Sequence, residues 1–303
     1  MQKTICITIS LFLVFTILPA QNPNLPDTNG SALNPPARQL PPTPPIPKPP
    51  KIIQDRKAIP YPYLREADVM WSKRIWRIID INEKINLVFK WPKSESTNDR
   101  ENLLDIILHG IKEGGLTAYD ADELLQDEFA KPYTRQEIET MIAGRMDTKM
   151  IKIPDPPYEI PKPYLKGELK RDDVFAYELK EDWYFDKQRS EMKVRIIGIC
   201  PISFVRDDAG DLKPGEKKKL FWIYFPEARQ TFANAEVFNT ANDAERRSWD
   251  DIFFKRKFNS YIIKESNVYD RHISEYKIGM DALLEAESIK NKMIDYEHDI
   301  WEY

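Results

Sequence analysis

Cysteine and histidine are scarce in this chain of 303 residues, with two cysteines and three histidines. Cys6 lies in an N-terminal apolar run, so removal of that run leaves Cys200 as the remaining thiol and no internal disulfide. A lone exported thiol either pairs between chains, reacts, or is buried. Within Arg195-Ile-Ile-Gly-Ile-Cys-Pro201 the reading is a buried, inert strand thiol. His109, His272 and His298 have no ligand spacing and no cysteine cluster to join, so a zinc site has no support. Glycine is also sparse, at ten residues, and neither a phosphate-cradling loop nor a nucleophile elbow occurs. No cofactor is implied. An excess of positive charge is missing too: the net charge of -4 leaves no basic face large enough for nucleic acid as the main ligand.

Long apolar runs are absent except for Ile5 to Leu18, which is too short for a membrane span of roughly 20 residues. With Lys3 before it and Pro19-Ala20 after it, residues 1–20 read as an export signal cut ahead of Gln21. The competing reading is an uncleaved anchor.

Proline is abundant and clustered. Nine of the sixteen residues from Pro35 to Pro50 are proline, so residues 21–57 are expected to be a disordered, extended linker. Either it spaces or binds a partner, or it is simply a leader. A second cluster, Pro154 to Pro163, argues against a regular element and marks a connector over 151–166.

Between these clusters the spacing predicts helices. Leu64, Ala67, Trp71, Ile75 and Ile78 fall on one helical face over 64–80. A second helix is expected around 99–113, with Asn98 and Glu101 at capping-box spacing and Gly114-Gly115 as its stop. Leu116 to Tyr119 reads as a short strand, and a third helix follows Thr134, with Glu137 completing another capping box. Beyond the connector the pattern turns to strands: Val174 to Leu179, then a long hairpin over 192–225 around the turn residues Asp207 to Gly210 and Pro214-Gly215. A helix over 243–257 and a strand over 260–263 complete this part. Asp68 to Ile75 resembles Asp251 to Phe258 by residue class, which is either a duplicated unit or coincidence.

The C-terminal segment is acidic, with seven acids against Lys290 and Lys292 over 281–303. Ala282, Ala286, Ile289, Met293, Tyr296, Ile300 and Tyr303 follow a 3.5-residue repeat. The reading is an amphipathic helix lying along a partner helix; the competing one is a helix lying on its own domain.

Catalytic constellations are thin. The acid pairs Asp172-Asp173, Asp207-Asp208 and Asp250-Asp251 read as helix-terminal or turn charges, and no enzymatic activity is expected. Lys217 to Lys219 reads as the guard of a strand end, and Lys255 to Lys257 as a solvated helix face. Aromatic residues make up 12% of the chain, enough to supply interface anchors as well as core. The partner-interface candidates are Trp76, Trp222, Trp249, Ile289, Met293, Tyr296, Ile300 and Trp301.

Tyr61 to Asp80, Phe185 to Ser190 running into Arg195 to Pro201, Leu220 to Arg229, Trp249 to Phe258 and the ending Glu297 to Tyr303 together resemble the protein N family of gliding motility and type IX secretion (GldN/PorN). The resemblance covers roughly 58–303 and leaves out the linker. It implies a non-enzymatic periplasmic structural subunit, associated with the outer membrane through a partner. That partner would be an outer-membrane lipoprotein, protein K, in a homo- and hetero-oligomeric ring. It also implies a link to the periplasmic part of protein M, with no span of its own. The alternative is a periplasmic adaptor or cell-wall-binding module using exposed aromatics. The expected architecture is α+β: a helix-rich part over 58–150, the connector, a β-hairpin-rich part over 167–278 and the amphipathic helix over 279–303.

Overall fold

The computed structural model describes residues 56–92, 100–121, 129–152, 159–166, 169–206, 212–240, 242 and 245–301, all within one compact unit, Lys48–Tyr303. The export signal, the linker up to residue 55, Asn98, the Asp207-Asp208 pair and Tyr303 lie outside the described residues.

In chain order, strand β1 (Val69–Asp80) leads to helix α1 (Leu103–Glu113), strand β2 (Ala118–Tyr119) and helix α2 (Arg135–Ala143). Strands β3 (Arg145–Lys152) and β4 (Glu159–Lys166) follow, then the long strands β5 (Val174–Asp186) and β6 (Glu191–Arg206). Next come β7 (Leu212–Lys219), β8 (Trp222–Tyr224) and α3 (Phe225–Asn234). The short strands β9 (Glu236–Val237) and β10 (Arg247–Ser248), helix α4 (Trp249–Phe254), β11 (Tyr261–Glu265) and the terminal helix α5 (Met280–Trp301) complete the chain. Helices and antiparallel sheets together make the fold α+β, as expected.

One seven-stranded sheet organises the molecule, in the order β11-β1-β5-β6-β8-β2, with β7 also paired to β6. Its long pairs, β1 with β5 and β5 with β6, are antiparallel. Residues on both sides of the Pro-rich connector therefore share one sheet.

In place of the expected helix over 64–80 there is a 3-10 turn, Glu66–Asp68, followed by strand β1. β1 lies between β5 and β11 and is packed on both faces: Ile75 and Ile79 on one side, Trp76 on the other. A strand buried on both faces loses its clean alternation, and its apolar residues then match a helical stripe by accident. The β-branched and aromatic content of Val69, Trp71, Ile75, Trp76, Ile78 and Ile79 was the better guide. Because α4 is a helix where β1 is a strand, the similarity of Asp68–Ile75 to Asp251–Phe258 marks no duplicated unit.

The connector also holds regular structure. β3 and β4 form a separate two-stranded sheet, pairing Met150 with Pro161 and Thr148 with Pro163. Proline has no N–H to donate to a neighbour, and residues two apart face the same edge. Both prolines therefore turn their nitrogens away from β3 and cost the ladder nothing.

Other local signals hold in part. The helix expected around 99–113 starts later, at Leu103, because Asn102 caps it by accepting from the Leu104 amide, so Glu101 precedes the cap; Gly114, at φ 79°, ends it as expected. Thr134 and Glu137 form the expected capping box of α2. The helix expected over 243–257 is shorter, because Ser248 and Asp251 form a capping box that starts α4 at Trp249.

Helices α1, α3 and α4 pack on the sheet face that carries Ile79, Leu179 and Ile199, and they bury the main core there. Helix α5 lies beside them on the same face of β1, over Ile75 and Ile262. The opposite face carries Trp76, Cys200 and Trp222 under Phe129 and Tyr119.

Candidate partner-binding surfaces

The structure distributes the expected interface residues among three packed clusters. Trp76 and Trp222 adjoin the buried Cys200, and Trp76 also lies beneath Lys264, whose Nζ is 4.8 Å from its ring centroid. Trp249 is 1% exposed and meets Phe89 edge-on at 5.3 Å. Ile289 and Met293 close the second core against Ile75, Ile262 and Ile273. Tyr296 continues that seam onto Trp71. Ile300 is half-buried near the end of α5, and the Trp301 side chain lies outside the described residues. The heptad stripe thus meets the chain's own sheet, correcting the expectation of a partner helix. Large aromatic and aliphatic side chains gain most when fully covered, and here the sheet supplies the cover.

The acids are matched by cations. Asp173 accepts from Arg206 at 2.8 Å, and Asp172 lies 3.9 Å from Lys90. Asp250 takes two hydrogen bonds from Arg229, at 2.9 and 3.1 Å, with both side chains buried. Asp251 accepts from the Ser248 amide at 3.1 Å and from Arg56 at 2.8 Å. Burial opposes its ionisation, but the Ser248 and Arg56 hydrogen bonds outweigh that and hold the carboxyl below its usual range. Arg256, expected on a solvated face, pairs instead with the buried Glu181 at 2.7 Å.

Arg229 and Arg195 also fix the chain ahead of β1. Arg229 donates to the Ile59 carbonyl and lies 4.4 Å from the Tyr61 ring centroid, while Arg195 donates to the Pro62 carbonyl at 2.9 Å. Residues 56–65 are thereby strapped onto α3, α4 and β6. Lys217 to Lys219 close the end of β7, where Lys219 pairs with the buried Glu178 at 2.9 Å. His109 is exposed and 3.0 Å from Glu101. Among the described residues no group of His, Cys, Asp or Glu has metal-holding geometry, and no helix is long and apolar enough to cross a membrane.

Among the described residues, two surfaces stand out. The first is a groove of about 1020 Å³ across the sheet face opposite the helices, with Ile78, Glu178, Ile202 and Ile263 in its floor and Asp120, Lys217 and Leu283 among its walls. The second runs from the segment after β11 onto the outer side of α5, where Val268, Ile278, Met280, Leu283 and Leu284 are all at least half exposed. A monomer that shows this many large apolar side chains within seventeen residues points to a contact with another molecule. Sequence reasoning passed over them because the heptad stripe claimed the helix. Leu283-Leu284, which lies outside that stripe, was the available signal.

A family model described as gliding motility associated protein GldN matches residues 64–302. No curated protein matches the chain.

Proposed function

The chain belongs to the GldN family of gliding-motility-associated proteins, components of the gliding and type IX secretion machinery, and from that premise we propose that it is a non-enzymatic structural subunit of a periplasmic ring. In this reading it is exported by its N-terminal signal. It assembles with an outer-membrane lipoprotein of the protein K family and contacts the periplasmic part of protein M.

The observation that carries the reading is the set of exposed apolar side chains Val268, Ile278, Met280, Leu283 and Leu284, which the fold of a single chain does not bury. The arginine pairs that hold Asp173, Asp250 and Asp251 in place fit a structural role for these carboxylates. The cell-wall-binding alternative, which relies on exposed aromatics, loses Trp76, Trp222 and Trp249 to the core and keeps Tyr63 and Tyr269 at the surface.

Affinity purification of the tagged chain from envelope fractions in mild detergent tests this reading. The expected result is a large complex that includes a lipoprotein. Recovery of the chain as a monomer alone overturns it.

A further inference from the structure

A smaller hollow, of about 400 Å³, lies between β6 and the segment ahead of β1. Its walls are largely apolar, with Leu64, Val69, Ile197, Tyr224 and Pro226 among them, and they also include Arg195. The Arg195 guanidinium is held in place without being neutralised. Its central carbon lies 5.7 Å from the Tyr61 ring centroid and 5.3 Å from that of Tyr184. Such contacts steady a guanidinium and leave its N–H edges to make hydrogen bonds. Nη2 donates to the Pro62 carbonyl at 2.9 Å. Nε is buried and has no hydrogen-bond partner, and Nη1, which is open to solvent, makes no hydrogen bond within the chain.

In Arg74, Arg206, Arg229 and Arg247 the edge formed by Nε and Nη2 grips a carboxylate. Arg195 has no such partner among the described residues. The acid opposite it in register, Asp182, also lines the hollow, but it is turned to Arg74 at 2.8 Å and neutralised there. Buried donors are nearly always paired, so an orphan beside an open hollow calls for a partner from outside the chain.

We infer that this hollow binds a carboxylate carried on an apolar group, with the acid on Arg195 and the apolar part against Leu64, Val69 and Ile197. The acid accepts from Nη1 and, with a small turn of the side chain, from Nε, which is the two-pronged geometry that arginine favours. The apolar part leaves water as it enters. A hollow of this size stands at the small end of ligand pockets, so it takes one residue-sized group. Two carriers present this chemistry, a small free acid and the C-terminal residue of a peptide. The inference is independent of the ring-subunit reading.

Calorimetry on the purified full chain tests the site with four probes. These are N-acetyl-leucine, its neutral amide, and the acetylated tripeptide Ala-Ala-Leu as free acid and as amide. The acids are expected to bind and the amides not. Arg195→Gln should weaken the acids about tenfold to a hundredfold, the weight of a hydrogen bond to a charged group, and Arg195→Lys should recover part of the loss. A tripeptide acid that binds more tightly than N-acetyl-leucine assigns a peptide terminus, and equal affinity assigns a small acid. The unaltered chain gives a second readout that needs no variant. With nitrogen-15-labelled arginine, the acids and not the amides should shift the Nε–H resonance of Arg195. Equal binding of acid and amide, full affinity in a folded Arg195→Gln chain, or no binding by any probe, with water as the sole partner of Nε, overturns the site. None of these results bears on the large complex.

Discussion

The ring of Tyr296 lies 5.2 Å from that of Trp71, centroid to centroid. This contact joins the last helix to the first strand of the sheet. Behind it Ile289, Met293 and Ala286 bury themselves against Ile75, Ile262 and Ile273. Helix α5 is therefore part of the fold, and its inward stripe is unavailable to other molecules.

Removing part of that seam should destabilise the chain. Ile289→Ala deletes a side chain that is 2% exposed and is expected to cost about 2–5 kcal/mol, read by chemical denaturation. Deleting 280–301 should go further, exposing Ile75 and Ile262 and lowering the melting temperature sharply. A deletion variant that melts like the intact chain would show that α5 is not packed there.

Arg229 and Asp250 form a buried pair, at 8% and 6% side-chain exposure. Asp250→Ala leaves the guanidinium buried without its anion and is expected to cost about 3–5 kcal/mol. The double change Arg229→Met with Asp250→Leu should recover part of that loss, since no unpaired charge remains. Equal loss in the single and double variants would place the damage in packing, or in the hold of Arg229 on Ile59 and Tyr61.

Asp251 sets a pH dependence. Its carboxyl is held below its usual range in the folded chain, so it contributes stability above the unfolded value of about 4 and loses it as pH falls through the lower folded value. The wild type should thus be more stable than Asp251→Asn at neutral pH, with the gap closing on acidification. A gap that stays constant between neutral pH and pH 2.5 would assign the difference to something other than ionisation.

Cys200 is wholly buried, and burial pushes its thiol well above the usual range. In a chain beginning at Gln21 it should resist alkylation at pH 8 and react fully once the chain is unfolded in denaturant. Rapid labelling of the native chain, counted by mass spectrometry, would show the strand pair over β6 to be open.

Much of the molecule could be read residue by residue. Thr134 and Glu137 announced a helix start, Gly114 a helix end, and the Val- and Ile-rich stretch around Cys200 a buried strand, because each signal acts within a few residues. Reading failed where neighbours distant in the chain decide the outcome. Trp71, Ile75 and Ile78 fit a helix as well as a strand until β5 and β11 flank them. Pro161 and Pro163 forbid a central strand but not one side of a hairpin, and that distinction depends on a partner strand.

Family membership, the α+β class and the scarcity of cysteine and histidine were already written in the order of the amino acids, since composition and short motifs carry them. Which aromatics become core, which side of α5 is consumed by the sheet and which is left facing outward were settled by packing. Burial is a property of all the surfaces that meet at a point, and those surfaces come from residues as far apart as Trp71 and Tyr296.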